Sequence, residues 1–234
     1  MKKLITSTII ISSLLLPGII ANAAGTGDDP SLTEDIKTPE QERVFAEKEE
    51  ATKPKFSTLS LPDGTYKVLS VPSYQQETSY WCGPATVKQV LQYLTGTSKT
   101  QSNYASELGT TRDGTDFTRI DDILNKYQNM NTYVYASIGD YASWTSKTNY
   151  GIQNNYPAVL DLKITSQYMP KYTTPVEGHI LNVSGYDSRT SPVQMRLTDP
   201  FDQGGRGVTL GNVWHPHRGV YDANNAHFRQ ALQY

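Results

Sequence analysis

The feature that most constrains this chain is the run Tyr80-Trp81-Cys82-Gly83-Pro84-Ala85, which holds the only cysteine in 234 residues. Behind it, Val87, Val90, Leu91 and Leu94 recur at i, i+3, i+4 and i+7, one apolar stripe of an amphipathic helix. Pro84 suits a first helical turn, where its missing N–H leaves no bond unmade, and Gly96 suits the C-terminal cap. The spacing predicts a helix from about Gly83 to Leu94, with Cys82 at or just before its N-terminus. Unpaired N–H groups and the macrodipole favour negative charge there. A thiol so placed loses its proton readily, and the thiolate is the nucleophile. One cysteine forms no internal disulfide. Cys82 is therefore either a buried apolar residue, a common fate of free cysteine, or a working thiol.

The chain opens with the signature of export. Lys2 and Lys3 precede an apolar stretch from Leu4 to Ile20, broken by Pro17-Gly18, and Ala21-Asn22-Ala23 fits a signal-peptidase cleavage box. Residues 1–23 are expected to be a signal peptide, with the mature chain starting at Ala24 and the protein secreted. A retained membrane anchor is the competing reading, since the stretch approaches spanning length; no second apolar run of that length follows. From Ala24 to about Ser60 the chain is acidic and poor in large apolar residues, with Glu40, Glu42, Glu47, Glu49 and Glu50 among its carboxylates. Such a stretch buries too little surface to offset its ordering entropy. Residues 24–60 are expected to be a disordered linker or a propeptide, with at most a solvated helix from Pro39 to Ala51. A net charge of −2 carries no nucleic-acid footprint.

The folded domain is expected over residues 61–234. Tyr66 to Val71 reads as a strand, and a loop from Pro72 to Tyr80 leads into the cysteine helix. A second helix is expected from Thr100 to Leu108. A third runs to about Tyr127, capped by Thr115 or Asp116, and a fourth, weaker pattern spans Tyr141 to Ile152. Then the period changes. Pro157–Ile164, His179–Tyr186 and Val193–Thr198 read as strands, Gly204–Gly207 as a loop, Val208–Leu210 as a short strand, and Ala226–Leu232 as a short helix or extended tail. Helices first and sheet later make an α+β arrangement.

Cys82 needs a base and a partner for that base. His179 starts one strand and Asp199 ends another. If the two strands pair antiparallel as a hairpin, the start of one lies beside the end of the other. A carboxylate beside imidazole fixes its tautomer and steadies its positive charge. Cys82, His179 and Asp199 then form a nucleophile, base and orienter. Asp187 and Asn182 are rival partners for His179, although Asn182, three residues along the strand, points to the other face. Gln76, with Gln75 as rival, offers a side-chain N–H to a developing oxyanion, beside the backbone N–H of Cys82. His215-Pro216-His217 reads as an extended segment with two imidazoles on one side, but it lacks the further ligands of a metal site, so no metal or cofactor is expected. His227 reads as a surface residue.

Taken in order, Val71-Pro72, Gln76, Trp81-Cys82-Gly83-Pro84-Ala85, Tyr156-Pro157-Ala158-Val159, Gly178-His179, Gly185-Tyr186-Asp187 and Asp199-Pro200 resemble the bacterial cysteine peptidases similar to bacteriocin-leader-processing, double-glycine peptidases of the papain-like superfamily. The resemblance runs from about Val71 to Pro200. It implies a papain-like α+β fold with the site in a cleft between a helical half and an antiparallel sheet half. It also implies Cys82 as nucleophile, His179 as base, Asp199 as orienter and Gln76 in the oxyanion hole. The expected function is that of a secreted bacterial cysteine peptidase, a monomer acting on a peptide or protein substrate through an acyl-enzyme. Acyl transfer or transglutamination, cell-wall amidase activity with the same residues, and a non-catalytic exported binding module are the alternatives.

Overall fold

The structure is a computed structural model that describes residues 33–53, 64–201 and 211–234. The expected signal peptide, the Gly204–Gly207 loop and the Val208–Leu210 strand lie outside those residues. The elements run in the order α1 (Pro39–Thr52), β1 (Tyr66–Val68), α2 (Cys82–Thr95), α3 (Gln101–Leu108), α4 (Ile120–Tyr127), β2 (Tyr135–Ser137), α5 (Tyr141–Gln153), β3 (Val159–Ile164), β4 (Val176–Asp187), β5 (Gln194–Asp199), β6 (Gly211–Pro216), α6 (His217–Ala226) and β7 (Ala231–Gln233). No helix among the described residues is long and apolar enough to cross a membrane.

The strands form one antiparallel sheet in the order β2-β7-β3-β4-β5-β6, with β1 also on β4. β4 is its spine. Its first half pairs with β3 (Asp161 opposite Ile180) and its second half with both β1 (Tyr66 opposite Asp187) and β5 (Asn182 opposite Thr198). Alternation along β3 and β4 sends side chains into two cores. Val159 and Ile180 join Val87, Val90, Leu91, Leu108, Ile120 and Leu124 from α2, α3 and α4. Leu160, Leu162, Leu181 and Val183 join Trp144 and Ile152 from α5 and Val220 and Ala223 from α6. Being buried on both faces is why these strands read as near-continuous apolar runs. The α+β arrangement is the expected one, with α5 and α6 added on the far face of the sheet.

Two expectations change. The acidic composition of residues 24–60 predicts disorder or at most a solvated helix, but the described part forms a docked helix. Thr38 caps α1 through a reciprocal capping box with Gln41. Val44 and Phe45 pack on the core around Trp144. Lys48, only 4 % exposed, donates to Asn131 Oδ1 (2.9 Å), Thr132 O (2.8 Å) and Tyr234 O (2.7 Å). Glu49 pairs with Lys147 at 2.8 Å, and Gln41 Nε2 donates to Asp121 Oδ2 at 3.2 Å. The abundance of carboxylates hides the few side chains that anchor the helix. Second, the His215-Pro216-His217 run is not one extended segment: β6 ends at Pro216 and α6 starts at His217.

Burial pushes the Lys48 pKa down to about 7, so its hydrogen bonds matter more than its charge. Lys48→Ala leaves buried acceptors unpaired and is expected to lower stability by about 2 kcal/mol. Arg43→Ala, which removes only exposed pairs with Glu40 and Glu47, is expected to change it by less than about 1 kcal/mol. Urea unfolding of the two variants checks the contrast.

Candidate active site

α2 begins at Cys82 itself, and Trp81 occupies the cap without a side-chain hydrogen bond. The first helical N–H groups are thus left without a capping side chain beside the thiol. Cys82, Thr86 and Gln89 follow one another at i, i+4 and i+7, a polar line inside the buried face of the helix. All three meet β4 or the loop before α2. Ile180 N donates to Cys82 Sγ at 3.5 Å. Thr86 Oγ1 donates to Ile180 O at 3.0 Å, and Asn182 Nδ2 to Gln89 Oε1 at 2.8 Å. The thiol is therefore pinned against the peptide unit that follows His179.

The hairpin of β4 and β5 brings His179 and Asp199 together, Nε2 to Oδ1 at 2.7 Å. Phe201 N donates to the same carboxylate oxygen at 2.7 Å, and the Tyr172 hydroxyl donates to Oδ2. His179 Nδ1 is buried and has no hydrogen-bond partner among the described residues. With Nε2 committed to Asp199, Nδ1 is the ring nitrogen left for a second proton exchange. The rivals are engaged elsewhere. Asn182 faces Gln89, and Asp187 is paired with Arg189 at 2.9 Å.

Gln76 is buried while Gln75 is only half-buried. Its loop is held from three sides. Gln76 N donates to Pro200 O at 2.9 Å, Gln89 Nε2 to Tyr74 O at 2.9 Å, and Gln101 bonds both Gln75 O (2.7 Å) and Glu77 N (3.0 Å). Gln76 Nε2 itself donates to Thr78 O at 2.9 Å. Because a primary amide carries two N–H bonds, one remains for a ligand.

Cys82, His179 and Asp199 are 1 %, 0 % and 0 % exposed. Burial therefore opposes charge on each. It pushes the thiol up, the imidazolium down and the carboxyl up. The Ile180 and Gly83 amides pull the thiol back and Phe201 N pulls the carboxyl back. Burial thus favours the neutral form of both the thiol and the imidazole at rest.

The remaining histidines are buried too, which corrects the surface reading of His227. It is 1 % exposed, with Nε2 3.6 Å from Asp161 Oδ1. His217 Nδ1 lies 2.8 Å from the Tyr141 hydroxyl, and the His215 ring lies 5.8 Å from that of Tyr172. Burial holds all three near pKa 4. Among the described residues no group of three or more His, Cys, Asp or Glu could hold a metal ion. Thr86, Gln89, Gln101 and Tyr172 escaped the sequence reading. For Thr86 and Gln89 a signal existed: two polar residues on the face of the helix that carries the thiol.

The model of the Peptidase_C39 like family matches residues 68–222. Among solved structures, the chain is similar to a double glycine motif protease from an AMS/PCAT transporter in complex with the leader peptide. Identity is 13 % over 71 % of this chain and 91 % of that one, with a TM-score of 0.46. It is similar to the peptidase domain of Streptococcus ComA, a bifunctional ABC transporter, at 14 % identity over 70 % and 96 %, with a TM-score of 0.48. A digestive procathepsin L 3 of Tenebrio molitor larval midgut is similar at 12 % identity over 83 % and 78 %, with a TM-score of 0.44. No curated protein sequence matches.

The residue after the thiol has no room for a side chain. A Cβ on Gly83 would lie 2.6 Å from Thr115 Oγ1 and 2.8 Å from Thr115 Cβ. Gly83→Ala is expected to cost about 1–3 kcal/mol by pushing the start of α2 away from the Thr115 segment. Urea unfolding reads the loss, and an unchanged midpoint would mean that the Thr115 side yields freely.

Proposed function

The chain belongs to the Peptidase_C39 like family and is a cysteine peptidase, and from that premise we propose that Cys82, His179 and Asp199 are its catalytic triad and Gln76 its oxyanion donor. The observation that carries this is the division of labour on one imidazole: Nε2 is held by Asp199 at 2.7 Å, and Nδ1 is buried and left open. The amide beside that histidine touches Cys82 Sγ.

As a substrate carbonyl arrives, Sγ attacks its carbon and His179 Nδ1 takes the thiol proton. The two neutral groups become an ion pair only as the electrophile provides somewhere for the electrons to go, which suits a site where burial resists charge beforehand. Asp199 steadies the imidazolium. The oxyanion is received by Gln76 Nε2–H and the Cys82 backbone N–H at the start of α2. His179 then returns its proton to the leaving amine. Water, deprotonated by the same ring, releases the acyl group from sulfur.

The substrate is a peptide or protein chain, the enzyme acts as a monomer, and the chemistry needs no metal or cofactor. The n-region, apolar run and Ala21-Asn22-Ala23 box support export with cleavage after Ala23. The second reading, acyl transfer, uses the same triad with an amine in place of water; the closed, dry surroundings of the thiol favour it to the extent that they exclude water from the thioester.

The test is release of peptides from fluorescently labelled casein, with and without a labelled primary amine. The wild-type chain is expected to release peptide without taking up amine. Cys82→Ala and His179→Ala should abolish release, Asp199→Asn should reduce it by about 10²- to 10⁴-fold, and Gln76→Ala by about 10²- to 10³-fold. Full activity in Cys82→Ala would refute the mechanism, and uptake of amine in place of water would transfer the assignment to the second reading.

A further inference from the structure

The acid of the triad has a partner beyond the histidine. Asp199 Oδ1 is shared by His179 Nε2 and Phe201 N, while Oδ2 receives the Tyr172 hydroxyl. Tyr172 is 2 % exposed and lies in the connection between β3 and β4, a few residues ahead of His179. Its ring packs on Phe201 at 5.7 Å, on His215 at 5.8 Å and edge-on to His179 at 6.5 Å. A phenol in such a place needs an acceptor, and a dry carboxylate needs donors on both oxygens to stay ionised.

We infer that Tyr172 is a positioning residue of the active site, which fixes the rotation of the Asp199 carboxylate and keeps it ionised so that His179 can accept the Cys82 proton. The inference rests on the triad reading above. With Oδ2 tied to Tyr172, the carboxylate cannot turn away from His179, and Oδ1 stays in line with Nε2. Each donor on a carboxylate also favours its charged form. Loss of the phenol O–H makes Asp199 easier to protonate. A protonated Asp199 no longer steadies the imidazolium, so the reactivity of Cys82 should fail at a higher pH than in the wild type. Among the described residues, His179 from β4 and Tyr172 from the β3–β4 connection bond Asp199, Cys82 from α2 feels its charge and that of Asp161, and one shell further His215 from β6 packs on Tyr172 and feels Lys171. Held neutral by burial, His215 supplies no charge that would mask the effect near neutral pH.

The experiment is the rate of Cys82 alkylation by iodoacetamide as a function of pH, in the wild type, Tyr172→Phe, His179→Ala, Asp199→Asn and the Tyr172→Phe/Asp199→Asn pair. Tyr172→Phe keeps the ring, and its circular dichroism spectrum and melting temperature report whether the fold is kept. The acidic limb of the profile is expected to move up by about one pH unit in Tyr172→Phe, with the plateau rate little changed. In the Asp199→Asn background, adding Tyr172→Phe should move nothing further, because the two act through one contact. A limb that superposes on the wild type, or a shift that persists in the Asp199→Asn background, overturns the role of Tyr172. If His179→Ala matches the wild type, the triad reading itself fails, and the two failures are thereby distinguished. Should Tyr172→Phe not fold, replacement of Tyr172 by a fluorinated tyrosine, a stronger donor, should move the limb the other way; an unmoved limb is the contrary result.

Discussion

The structure depends on a polar seam between α2 and β4 inside an otherwise apolar core. Ile180 donates to the Cys82 sulfur and accepts from Thr86, and two residues on Asn182 donates to Gln89. Each such bond is worth only about 1 kcal/mol net, yet leaving one of its buried partners unmet costs about 1–3 kcal/mol. Apolar packing alone would let the helix slide or rotate on the sheet with little penalty. The seam does not, because any other register strands polar atoms in a dry place. The start of α2 is thereby set against the strand that carries His179. Since the β4–β5 hairpin sets His179 against Asp199, Cys82, His179 and Asp199 are all referred to one strand.

The same burial that makes the seam strict governs the chemistry. A thiol, an imidazole and a carboxyl closed off from water each resist charge. The neutral pair is a poor target for oxidants, which react with thiolate. In the proposed mechanism, reactivity depends on the donors that surround the charges once they form: the amides of Ile180 and Gly83 at sulfur, and Phe201 N and Tyr172 at the carboxylate.

Much of this was legible in the sequence because it was local. The i, i+3, i+4, i+7 stripe, Pro84 and Gly96 define α2, which runs Cys82–Thr95 and ends with Gly96 at φ +75°. Apolar runs broken at Asp187–Pro192 define the hairpin, and a hairpin places the start of one strand near the end of the next. What escaped depends on tertiary partners. α1 looks like a solvated acidic stretch until Lys48 finds Asn131, Thr132 and Tyr234, residues far along the chain. α6 was hidden because Pro216 reads as extended, whereas it sits directly before the first residue of the helix. His227 looked like a surface residue because nothing in its neighbourhood announces Asp161, on a strand more than sixty positions earlier. Tyr172, one of sixteen tyrosines, has no local mark that separates it from the rest.

The central claim is that Cys82 and His179 exchange a proton. Two groups that do so must each alter the titration of the other. The direct measurement is a pH titration of the histidine ring nitrogens by NMR in the wild type and in Cys82→Ala. A neutral His179 ring protonated on Nε2 is expected near neutral pH, with a titration curve for His179 that shifts in Cys82→Ala while those of His215, His217 and His227 stay put. Superposable His179 curves in the two proteins would contradict it and leave Cys82 as a buried structural thiol.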